Sequence, residues 1–225
     1  MEYELIRSGR RTLSIAVRDG GVQVRAPLRL PRAEIDGIVL SRADWIGEAL
    51  ERSRALSERR GGFVLDYGGT ARYRGGQYPI AAVEGAGGFD GERFLLPPGL
   101  SPEQVKAACV QICRLLAKRH LTERTALYAP RMSVSPAAVK VSGAKTRWGS
   151  CSSKGTINFS WRLIMAGDSV IDYVVVHELA HLLEMNHSAR FWAVVERALP
   201  DYQRRKAMLR DFQRRLACEN WDFAR

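Results

Sequence analysis

Residues 177–187 read HELAHLLEMNH and hold three of the chain's four histidines. On a helix that turns about 100° per residue, His177 and His181 stand one turn apart on a shared face, so both imidazoles reach a single metal ion. Glu178 points in a neighbouring direction. In this HExxH arrangement two neutral imidazoles hold Zn²⁺, and the adjacent carboxylate serves as general base toward the attacking water.

Two histidines and a glutamate on a helix are common by chance, so the third donor decides the matter. A helix continued past His181 would carry His187 about 9 Å further along the axis and some 120° around it, out of reach of the same ion. The chain must therefore turn. Asn186 tolerates the left-handed conformation that ends helices, and Ser188 is a cap for a new helix through FWAVVERAL. Folded back this way, His187 meets the metal. The spacing HExxHxxxxxH equals the metzincin signature, except that Glu184 stands where that signature has its turn glycine.

The elements that position this stretch are legible on either side of it. Asp168 or Ser169 caps a helix whose buried stripe is Ile171, Val174, Val175, Leu179 and Leu182. Upstream, Ser101-Pro102-Glu103-Gln104 opens a helix expected to run to about residue 127, with Val105, Ala108, Cys109, Ile112, Leu116 and His120 along one stripe. His120 is read as a structural histidine near that helix's end. RMSVSPAAVKVSG, AKTRWGSCSS and GTINFSWRL then read as strands, the last alternating Ile157, Phe159, Trp161 and Leu163 on one face.

Residues 1–98 read as a β-rich half with inserted helices. YELIR, TLSIAVR and VQVRAPL alternate, Pro31 and then Ser41 open helical patterns, and FVLDY, ARYR, QYPIAAVEG and RFLLP are short strand candidates. The Pro97-Pro98-Gly99 breaker divides this half from residues 99–225, the expected catalytic domain.

The formal net charge of +11 and pI near 10.0 suit an anionic partner, nucleic acid included. The densest basic runs, ERSRALSERR and RRKAMLRDFQRR, are interleaved with acids at helical spacing and also fit solvated helix faces. The N-terminus has no apolar region before a cleavage site, and no apolar run is long enough to cross a bilayer; a soluble, cytoplasmic protein with no membrane partner is expected. The four cysteines form no CxxC pair and fit a reducing compartment.

RWGSCSSKGTINFSWRLI, HELAHLLEMNHSARFW and RRTLSIAVRDGGVQVRAPL followed by ADWI together resemble the YgjP-like family of zinc metallopeptidases, bacterial relatives of the SprT and WLM proteases. The resemblance covers most of the chain. It implies an α+β fold with a zincin-like, minigluzincin-type core of helices on a small antiparallel sheet, zinc on His177, His181 and His187, and Glu178 as base.

Three functions stay open on the residues. A zinc peptidase would act on peptide or protein, with Arg147 and Trp148 lining the cleft or polarising the oxyanion. A metal-dependent nucleotide pyrophosphatase would use Arg147 and Arg162 as phosphate clamps. A nucleic-acid-associated SprT-like protease, or a module with structural zinc, is the third; three histidines beside a glutamate leave a coordination position open, unlike most structural sites. Tyr173 and Tyr202 are further oxyanion candidates, and Cys151 reads as a buried thiol.

Overall fold

The computed structural model describes residues 1–18, 20–85 and 87–222 of a mixed α and β chain. It falls into two compact units, Met1–Phe63 with Leu216–Asn220, and Val64–Arg215 with the residues from Trp221. Residues 64–98, placed with the N-terminal half by the proline-glycine breaker, thus group with the helical unit. The reason lies at one turn: the Arg74 and Gly75 amides donate to the Ile164 and Met165 carbonyls.

In the first unit β1 (Glu4–Ser8), β2 (Ser14–Arg18) and β3 (Gly21–Pro27) form a sheet ordered β1-β3-β2. β3 runs antiparallel to β2 and parallel to β1. Its alternation turns Val22, Val24 and Ala26 to one face, where they are buried with Ile35, Val39 and Ile46 from α1 (Arg32–Leu40) and α2 (Ala43–Gly61).

The second unit begins with β4 (Thr70–Tyr73), β5 (Gly76–Ala82), β6 (Gly88–Phe89) and β7 (Phe94–Leu96), ordered β4-β5-β7-β6. FVLDY is not a strand; residues 63–66 are irregular, and the backbone enters the sheet only at Thr70. α3 (Pro102–Arg131) starts on a complete capping box between Ser101 and Gln104 and runs past the expected stop, carrying Pro130 within its last turn. Its apolar stripe packs on a short 3₁₀ helix (Trp161–Met165) and on α4 (Asp168–Ala180).

Between them β8 (Ala138–Ser142), β9 (Gly149–Cys151) and β10 (Thr156–Ser160) form a sheet ordered β8-β10-β9. This sheet is mixed rather than wholly antiparallel: β9 and β10 are a hairpin, whereas β8 runs parallel to β10. The alternation expected to continue through Trp161 and Leu163 stops at Ser160, because the chain tightens there into the 3₁₀ helix. α5 (Ala189–Ala198) and α6 (Tyr202–Ala217) follow.

α4 is buried almost all round instead of along one stripe, since α3, α5 and β9 pack about it. Gly167, not Asp168 or Ser169, is its N-cap, and this frees Asp168 to hold Arg74 and His120. His120 is therefore structural, as expected, but sits within α3 and is buried. Burial lowers its pKa against the pull of Asp168. The one acid in the middle of α4, Asp172, takes Arg124 at 2.6 Å, the Tyr128 hydroxyl at 3.0 Å and Arg205 at 3.5 Å. Those bonds tie the helix to α3 and α6.

Breaking a buried, hydrogen-bonded pair from one side leaves charge uncompensated and costs about 3–5 kcal/mol. Asp172→Ala should therefore lower the urea midpoint sharply with little change in slope. A midpoint within error of the parent protein would show that the network is energetically idle.

Candidate metal centre

α4 delivers His177 and Glu178 from its last turn and stops at His181, which is its C-cap with right-handed φ and ψ of −66° and −16°. The chain does turn between His181 and His187, but Asn186 is not the left-handed residue; among the described non-glycine residues only Arg74 and Ser133 have positive φ. The helix instead ends through tightened bonds, with the Leu182 amide on Leu179 and the Leu183 amide on Ala180, whose carbonyl also takes the Glu184 amide in an ordinary helical bond. Ser188 then caps α5 by accepting from the Phe191 amide.

This path brings the donor nitrogens of His177, His181 and His187 within 4.8 Å of one another. The Nε2 atoms of His187 and His177 face each other at 3.0 Å. His181 turns its Nδ1 to the Glu184 carbonyl at 3.1 Å. With that nitrogen donating, Nε2 keeps a free lone pair, the usual way an outer hydrogen bond fixes the tautomer of a metal-binding imidazole. Burial, reinforced by the two other histidines and Lys206, pushes His177 down to about 3, and burial lowers His181 as well. Three convergent imidazoles form a donor set that fits a divalent zinc-type ion.

A ring absent from the sequence-level reading floors the cluster. Phe191 is fully buried, and its centroid lies 4.9, 4.6 and 4.7 Å from His177, His181 and His187. Trp192 stands 5.9 Å from His177 and 5.8 Å from His187, and buried Tyr173 is 5.9 Å from His177. Burial raises the Tyr173 hydroxyl to about 12. The sequence signal for these partners is the FW pair in the first turn of the helix that Ser188 caps.

Glu178 is 5 % exposed, and burial pushes its carboxyl up to about 7, opposed by the positive charge of Arg147. Its side chain lies against Gly149 of β9. A Cβ at Gly149 would fall 2.5 Å from Glu178 Oε1 and 2.6 Å from Cγ, closer than real atoms approach. The glycine of RWGSC is thus required for space rather than for its φ. Cys151, two residues on along β9, is pushed up by burial and by the Glu178 charge, so it stays a thiol and not an activated nucleophile.

Of the other residues singled out from sequence, Arg147 is exposed and within electrostatic reach of Glu178. Trp148 is half-buried, its ring 5.2 Å from Phe212 and its carbonyl accepting from the Ser160 amide. Arg162 is held elsewhere: its side chain is 12 % exposed, pairs with Asp222, donates to the Gly143 carbonyl and lies over the Trp161 ring. Tyr202 stacks on Trp192 with centroids 5.4 Å apart.

The family model described as YgjP-like, metallopeptidase domain, matches residues 11–212. A solved structure, the metallopeptidase zymogen abylysin of Pyrococcus abyssi, is 23 % identical with a TM-score of 0.39 and covers 43 % of this chain and 94 % of its own. Comparison with curated proteins gives no significant match.

The packing of Gly149 on Glu178 yields a direct test. Gly149→Ala should leave the metal content and circular dichroism unchanged while lowering metal-dependent hydrolysis roughly 100-fold, the scale on which an ångström of misplacement acts. Undiminished activity would mean that the carboxylate needs no such cradle.

Proposed function

We infer the activity from two premises: the chain belongs to the YgjP-like metallopeptidase family, and its three histidines converge beside a buried glutamate. The reading they support is a zinc-dependent peptidase, with His177, His181 and His187 as the zinc donors and Glu178 as general base. The observation that carries it is the placement of Glu178, next in sequence to one donor and aimed across β9 instead of into the donor set.

A zinc ion in such a donor set acidifies water and polarises a carbonyl. The chain's own groups supply the rest. Glu178, held by Gly149, takes the proton of the attacking water and returns it to the departing amine nitrogen. β9 is the edge strand of its sheet, so its outer backbone groups are able to pair with an extended peptide beside Glu178. Arg147 and Tyr173 are each within electrostatic reach of Glu178 and are the candidates for steadying the oxyanion, one by charge and one by a hydroxyl that burial keeps protonated.

The alternative phosphoanhydride chemistry relied on Arg147 and Arg162 acting as a clamp. It loses support where Arg162 is taken up by Asp222. A nucleic-acid role rests on overall charge alone. Among the described residues no helix is long and apolar enough to cross a membrane.

Glu178→Gln should retain zinc and fold while losing about 10²–10⁴-fold in peptide hydrolysis, the usual worth of a general base. Loss of zinc from this variant would make Glu178 a donor. Zinc-dependent phosphate release from nucleotides, with no peptide of a broad library cleaved, would replace the peptidase reading.

A further inference from the structure

Some of the cations of α6 are paired with acids. Arg205 pairs with Asp201 at 2.8 Å and Asp172 at 3.5 Å, and Arg214 with Asp211 at 3.7 Å. Tyr202, Lys206 and Arg210 recur every fourth residue and so share a face, with Arg214 next along the same row. Among the described residues neither Lys206 nor Arg210 has an acid within ion-pair distance, yet this is the face turned to the metal centre. Lys206 Nζ sits 4.5 Å from the Trp192 ring centroid, and that ring in turn lies beside His177 and His187. Tyr202 stacks on the same indole, and Arg210 acts on Tyr173.

An ammonium placed beside a donor set for a dication opposes metal binding, and among the described residues no acid lies within ion-pair distance to offset it. Lys206 is exposed, and its ammonium rests on the Trp192 indole. An anion entering with the substrate would supply the missing counter-charge. The indole fixes where the charge stands by a cation–π contact, leaving the ammonium donors free for a partner.

We propose that Lys206, fixed over Trp192, is the recognition site for a carboxylate on the substrate, carried by an acidic residue next to the scissile bond. This rests on the peptidase reading. The one ring that stands between Lys206 and the histidines, the Trp192 indole, lies 4.5 Å from the ammonium and 5.8 Å from the His187 ring, so the gap is at most about three residues of extended chain, at some 3.3–3.6 Å each. Arg210, further along the face, reinforces the field without holding the anion. Lys206 is a specificity determinant in this account. It need not touch the reacting carbonyl, so its loss should appear in KM and binding more than in kcat.

The test uses the full zinc-loaded chain and two blocked amino-acid hydroxamates, glutamyl and glutaminyl, which bind metal alike and differ in one charge. By calorimetry the parent protein should bind the glutamyl probe about tenfold tighter. Lys206→Gln should erase the difference and leave the glutaminyl affinity unchanged, and Lys206→Glu should shift the preference to a lysyl hydroxamate. Blocked peptides with glutamate or glutamine beside the cleaved bond should show the same order in KM, and peptides with a free or an amidated C-terminus separate a side-chain carboxylate from a terminal one. Equal affinities in the parent protein, or a preference that survives Lys206→Gln, would overturn the assignment. So would Lys206-dependent binding of ATP without any glutamyl preference. Because the hydroxamates report binding, a charge preference without peptide cleavage would sink the peptidase reading and spare the anion site, whereas cleavage without preference would do the reverse.

Discussion

On the proposed reading three imidazoles must be aimed at one point, and the buried Phe191 ring packs against all of them. A single ring within 5 Å of each histidine limits the rotations open to all three and removes water from their flanks. Desolvation is the largest influence lowering His177. Protonated histidines cannot bind a cation, so the apolar floor and the donor set form one device. Phe191 reaches that place only because Ser188 starts α5 immediately after His187, and His187 returns only because α4 ends at His181.

The second constraint, on the proposed reading, is that Glu178 must lie near the three histidines without joining them as a donor. Gly149 sets that position from the opposite side, since its missing side chain is the space the carboxylate arm occupies. β9 is held at the correct height by its pairing to β10, and α4 is anchored through its first half, by Asp168 to Arg74 and His120 and by Asp172 to Arg124, Tyr128 and Arg205. Preorganisation of this kind comes from rigid elements rather than loops.

The convergence of the three histidines was legible in the sequence because helical geometry links His177 to His181 and excludes His187 unless the chain turns. The capping box at Ser101 and the cap at Ser188 were legible for the same local reason. What escaped was set by partners distant in the chain. Gly149 reads as one residue of a strand segment until Glu178 is seen lying on it. Arg162 reads as a free clamp until Asp222, sixty residues on, takes its guanidinium. The strand through Trp161 was lost to a 3₁₀ turn whose last carbonyls receive the β4–β5 turn, and that contact also draws residues 64–98 into the second unit. Periodicity records burial; it does not record which neighbour does the burying.

X-ray absorption at the zinc edge of the metal-loaded chain tests the central claim most directly. The account predicts three imidazole shells at about 2.0–2.1 Å with one further light atom and no sulfur. A sulfur shell at about 2.3 Å would bring Cys151 into the donor set, and fewer than three imidazoles would remove His187 from it; either result contradicts the site as built here.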